Sequence, residues 1–147
     1  MVALFCLINP IDNVTALTVN TSKTAECSEE TVYKQLIVGL LTPKIDEAVD
    51  NYYKKYFKHT PGTVPFLVDV LSVDSEKSDE RLAYPSSFKV KVQVSPYFGP
   101  HNSVGTDNIT FNIGVCGDVK VEKFEHIRSY ELPWNYQNEI INVWPPN

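Results

Sequence analysis

The chain has 147 residues, 43% of them apolar and 21% charged, with a formal charge of −5. That is enough chain for one domain with its own core, and the composition is that of a folded globular body rather than a disordered tail. The acidic balance and the scatter of Lys and Arg among acids exclude the basic face that phosphate-backbone binding requires, so nucleic acid is not an expected partner.

The N-terminus opens with an unbroken apolar run, Val2 to Ile8, ended by Asn9-Pro10 and followed by NVTALT with small residues at Val14 and Ala16. This pattern is that of the back half of a secretory signal, although no Lys or Arg precedes the run. Residues 1–24 are therefore read as a remnant secretory leader or disordered segment outside the folded core, with a short structural element as the alternative. Residues 25–147 are read as a single α+β domain. The run is far short of the roughly 20 residues a bilayer span demands. Of the three cysteines, Cys27 and Cys116 stand far apart, a spacing open to one disulfide or to two buried thiols, and the thiols are the preferred reading.

From Ser28 the pattern becomes helical. Val32, Leu36 and Leu40 recur at four-residue steps with Ile37 and Leu41 beside them, Ser28 is the expected N-cap, and Glu29 and Glu30 suit the first turn. The apolar stripe continues past Thr42-Pro43 through Ile45, Ala48, Val49, Tyr52, Tyr53, Tyr56 and Phe57 to a stop at Thr60-Pro61-Gly62. Pro43 has no amide hydrogen, so the helix must kink or restart there, and a restart with Thr42 as N-cap is expected. Beyond the stop the period falls to two. VPFLVDVLSVD from Val64 is β-rich, and Phe88 to Val94 alternates apolar and polar residues without error. Ile109, Phe111 and Ile113 share one strand face, and Val119 to Phe124 forms a further strand. Tyr136, Ile140, Ile141 and Trp144 have the spacing of a short C-terminal helix that docks back on the body. The fold expected is an N-terminal helix, kinked or restarted at Pro43, packed on a curved antiparallel sheet of about four strands, cystatin-like in shape. Such a shape carries no function by itself.

The segment most like a site is SPYFGPHNSVGTDNITFNI, Ser95 to Ile113. Tyr97, His101, Asn102 and Asp107 are its candidate binding residues. The competing reading is a hairpin whose prolines, glycines and Asx residues serve the turn, with Asn102, Asp107 and Asn108 bonding their own backbone. Metal chemistry would need His101 and Asp107 to meet across the hairpin with His126 as a third ligand, but no short metal-ligand spacing accompanies His59, His101 or His126, and no metal or cofactor is expected. No Gly-x-Ser-x-Gly elbow or phosphate-cradling loop occurs, and no carboxylate pair stands out. Cys116 with His101 or His126 as base is the one thiol arrangement to consider, against a small apolar residue in a turn. In YYKKYFKH, Tyr52 to His59, lysines interleave with aromatics, as a strip for anionic wall polymer or headgroups would, or as the end of an amphipathic helix, the favoured reading.

GPHN-x-VG-x-D, Gly99 to Asp107, together with EHI-x-SYELP, Glu125 to Pro133, and LLTPKIDEAVDNYYKKYF, Leu40 to Phe57, resembles the family known as domain of unknown function 3888, small secreted proteins of Bacillus-type Gram-positive bacteria. The resemblance implies export and residence at the envelope or in the medium, and it implies no activity. Two function classes follow. The first is a non-catalytic binding or interaction domain whose partner is a cell-wall component or a protein. The second is a small hydrolase or metal-dependent enzyme that uses residues 95–113.

Overall fold

The structure is a computed structural model that describes residues 28–77 and 84–146. The leader-like segment and Cys27 lie outside the described residues. One helix, α1 (Glu29–Tyr53), precedes six strands: β1 (Val68–Glu76), β2 (Ser87–Val94), β3 (Tyr97–Phe98), β4 (Asn102–Ser103), β5 (Gly105–Gly114) and β6 (Val119–Ser129). The four long strands form an antiparallel sheet in the order β1-β2-β5-β6, and β3 pairs with β4 as a separate hairpin inserted between β2 and β5. This is the expected α+β arrangement, a meander with a helix against it.

The clean alternation of β2 is what seats the sheet. Val90, Val92 and Val94 are buried, and their cross-strand partners on β5 are Phe111, Ile109 and Asp107. Lys89, Lys91 and Gln93 take the opposite face, where Lys89 pairs with Glu76 and Glu122, and Lys91 with Glu125. Such half-exposed pairs contribute little to stability but keep that face in water. Register shifts leave one extra residue at Leu71 on β1 and at Glu122 and Ile127 on β6, bulges that bend and twist those strands locally.

The helix corrects the sequence reading in three ways. It does not restart at Thr42: α1 runs through Pro43, and the Thr42 hydroxyl donates instead to the Val38 carbonyl at 2.8 Å. Pro43 is exposed, and so is Gly39, whose carbonyl the missing amide of Pro43 would otherwise serve. The helix ends at Tyr53, and Tyr56 and Phe57 belong to the turn that follows. The stripe is also rotated. Val38, Leu41, Ile45, Ala48, Val49 and Tyr53 are buried, whereas Val32, Leu36 and Leu40 are exposed. Apolar residues occupy both sides of the first three turns, so spacing alone did not decide which side faces the sheet. Ser28 is the N-cap, its hydroxyl accepting from the Thr31 amide.

This rotation has a measurable consequence. Leu41→Ala is expected to lower unfolding free energy by about 2–5 kcal/mol, and Leu40→Ala by no more than about 0.5. Urea titration of both variants checks it, and equal losses would place both leucines in the core.

The C-terminal segment docks, though as a six-residue 3-10 turn, Trp134–Glu139, rather than an α-helix. Ile140 bridges to Phe57, and the Trp144 indole donates to the Tyr130 carbonyl at 3.0 Å. Trp144 thereby closes an aromatic cluster with Tyr53, Tyr56 and Phe57, while Trp134 stays exposed. Cys116 sits in the β5–β6 turn as an exposed free thiol, not a buried one. No helix among the described residues is long and apolar enough to cross a membrane.

Candidate functional site

Period two along β5 puts Gly105, Asp107, Ile109 and Phe111 on the face that packs against α1. Asp107 is thus a carboxylate in a core row, fully buried, and not the loop residue expected. It does not bond its own backbone. One carboxylate oxygen accepts from the Tyr53 hydroxyl at 2.8 Å, and the other lies 2.6 Å from His126 Nδ1. Asn108, on the outer face, accepts from Gln93 at 3.2 Å.

His126 is directly across from Asp107 on β6. The register shift just beyond pairs Thr106 with Arg128 and Gly105 with Ser129, so Ile127 is extra. That one inserted residue changes the parity of the strand. His126 and Ser129, three apart, therefore come to the same face, and His126 Nε2 lies 2.7 Å from Ser129 Oγ. Both imidazole nitrogens are engaged. With Asp107 ionised the consistent arrangement is Nδ1–H donating to Asp107 and Ser129 Oγ–H donating to Nε2. The ring is held in place by Tyr52 stacked on it at 5.2 Å, with Tyr53 edge-on and Trp144 tilted against it.

Burial pushes the Asp107 carboxyl above its ordinary value, and the hydrogen bonds from His126 and Tyr53 act against that rise. Burial also pushes the Tyr53 hydroxyl far above the usual phenol range, with the Asp107 charge adding to it, so Tyr53 remains a donor. Among the described residues, no buried side-chain nitrogen or oxygen lacks a hydrogen-bond partner. The close approach depends on Gly105: a Cβ there would stand 2.7 Å from the Tyr53 hydroxyl oxygen and 2.9 Å from the His126 ring.

The other candidates from the sequence lie apart from this cluster. Tyr97 and Asn102 belong to the β3–β4 hairpin, and His101 sits at its tip with a positive φ of 62°, exposed, its ring beside Tyr97 and Phe66. Tyr97 also bridges to Gly62. Asp107 and His126 meet, but His101 does not join them, and among the described residues no three His, Cys, Asp or Glu side chains gather as a metal site would require. Ser129 and Tyr53 were not singled out by sequence reasoning. Tyr53 was visible as a core residue and as one ring of the YYKKYFKH strip, not as a partner of Asp107, and Ser129 depends on a bulge that no spacing rule announces.

A cleft of about 700 Å³ runs between α1 and β6, beside the cluster. Its floor is Tyr52 stacked on Phe124 at 4.8 Å, with Val121 next to them. Its charged lining is Lys44, Lys55 and Lys120 together with one carboxylate, Glu47. Lys55 lies over the Tyr52 ring at 5.2 Å, Lys44 bonds Glu47 at 2.7 Å, and Lys120 is 4.0 Å from Asp118. Of the lysines in the YYKKYFKH strip, Lys55 alone lines the cleft, while Lys54 bonds Asn51. Tyr52 joins the two features, since it lines the cleft and stacks on His126.

The family described as protein of unknown function (DUF3888) matches over residues 33–128, which takes in most of α1, the whole sheet up to Arg128, Asp107 and His126. No curated protein and no solved structure matches the chain.

Proposed function

The chain belongs to DUF3888, a family of unknown function, and from that premise we propose that it is an exported or envelope-associated binding domain of a Gram-positive cell, with the α1–β6 cleft as its ligand site. The ligand class is an anionic wall polymer. The cleft carries the reading: an aromatic floor on which a sugar or glycerol unit can lie, bounded by three lysines that can meet phosphate or carboxylate groups. The chain is acidic overall, and three lysines against Glu47 make the cleft a local exception, with Lys44 and Lys120 shared with Glu47 and Asp118 until an anion competes for them. The leader-like run Val2 to Ile8 supports export.

The test is binding of purified chain to poly(glycerol phosphate), followed as a function of salt. Lys44→Glu, Lys55→Glu and Lys120→Glu together are expected to weaken binding at least about tenfold at low salt and to flatten its salt dependence. Lys89→Glu, on the outer face of the sheet, is the control and should leave binding unchanged. Equal binding by the triple variant and the wild type would remove the cleft as the site.

A further inference from the structure

The Asp107–His126–Ser129 chain of contacts is more than the cleft reading needs. We propose that Ser129 is a base-activated hydroxyl that accepts an acyl group from a short-chain ester, an activity independent of ligand binding in the cleft.

Three observations converge on Ser129. The distances, 2.6 Å from Asp107 to Nδ1 and 2.7 Å from Nε2 to the hydroxyl, connect an acid, a base and a hydroxyl in series. Burial separates the acid from the other two: the Asp107 side chain is 0% exposed, that of His126 15%, and Ser129, at the end of the edge strand β6, is likewise half-buried. The acid is therefore shut away from water while the base and the hydroxyl lie nearer the surface. The orienting acid is itself fixed, because the Tyr53 hydroxyl occupies its second oxygen and Gly105 leaves room for both neighbours. Asp107 and Tyr53 are positioning residues, and Ser129 and His126 are the groups that would touch the ester.

The step balances without a cofactor. Ser129 Oγ bonds to the ester carbonyl carbon as its proton passes to His126 Nε2. The carbon–oxygen bond to the alcohol breaks, and the alcohol leaves with that proton. Water then attacks the acyl-serine, giving its proton to Nε2, and the carboxylic acid departs as Ser129 regains its hydrogen. Ser129 lines neither the α1–β6 cleft nor the cleft between α1 and β1, so neither of these two supplies it with a pocket for a long acyl chain, and the group tested is acetyl-sized.

The experiment uses the full chain with a fluorophosphonate probe and, separately, p-nitrophenyl acetate, read by intact mass and peptide mapping. One adduct per chain is expected, at Ser129. Ser129→Ala should carry none while keeping its thermal midpoint, and His126→Gln should label at least about 100-fold more slowly. If Ser129→Ala fails to fold, Ser129→Cys replaces it: the thiol introduced there must react with iodoacetamide faster than the exposed Cys116, and more slowly once His126→Gln is added. A folded wild type without an adduct at Ser129, or an adduct that forms at the same rate in His126→Gln, would overturn the proposal and leave the relay a structural clamp.

Discussion

Gly105→Ala is expected to destabilise the protein by about 3 kcal/mol, at the upper end of what overpacking a core usually costs. The added Cβ would lie 2.7 Å from the Arg128 carbonyl oxygen, 2.7 Å from the Tyr53 hydroxyl and 2.9 Å from the His126 ring. Two of those neighbours are side chains that could swing away, but doing so breaks the bond from Tyr53 to Asp107 or the one from His126 to Asp107. The third is backbone of the strand paired with Gly105, and it moves only if β5 and β6 separate locally. Relief therefore comes at the expense of either the ladder or the buried carboxylate. Gly39→Ala is the matched control. It sits in α1 with nothing within 4 Å of the new Cβ, so helix propensity makes it neutral or stabilising by up to about 1 kcal/mol. Urea unfolding of the two variants separates a packing effect from a general intolerance of alanine. A Gly105→Ala chain as stable as the wild type would mean that the relay is looser than its distances indicate.

Much of this arrangement was legible in the sequence, and the part that was not has definite physical causes. Alternation in Phe88 to Val94 and in Ile109 to Ile113 identified both central strands and their inner faces. Carrying the second alternation back by one more step from Ile109 puts Asp107 on the inner face. The turn-forming company of Gly99, Asn102 and Gly105 hid that step by making Asp107 read as a loop residue. The first turns of the α1 stripe are ambiguous because Leu40 and Leu41, adjacent in sequence and equally apolar, lie about 100° apart round the helix, and only packing against the sheet chooses which of them is buried. The continuity of α1 through Pro43 is likewise tertiary. Leu41 and Ile45, one on each side of the proline, are both buried, and their burial offsets the one hydrogen bond lost. Ser129 was the least accessible of all, since its place beside His126 requires the extra residue Ile127, and a bulge leaves no mark in the pattern of apolar residues.

Asp107 carries the second large expected effect. Asp107→Ala is expected to lower stability by about 3–5 kcal/mol, because it leaves the Tyr53 hydroxyl and His126 Nδ1 without an acceptor in a buried setting. Tyr53→Phe should cost about 1–3 kcal/mol by removing one donor from the same carboxylate. The double variant should lose less than the sum, since each single change already breaks the Tyr53–Asp107 bond. Asp107→Asn keeps the shape and an acceptor, and it isolates the charge. Folding raises the Asp107 carboxyl above its ordinary value of 3.8, burial outweighing its two hydrogen bonds. A group whose folded value is raised binds its proton more tightly in the folded chain than in the unfolded one. Its contribution is then greatest below the ordinary carboxylate range and is lost as pH climbs through the shifted titration. The stability of the wild type relative to Asp107→Asn is therefore expected to fall as pH rises from about 4, and to level off once Asp107 is fully ionised. Urea midpoints across that range measure the difference directly. A difference that rises with pH instead would show that His126 and Tyr53 hold the ionised carboxylate more strongly than burial opposes it.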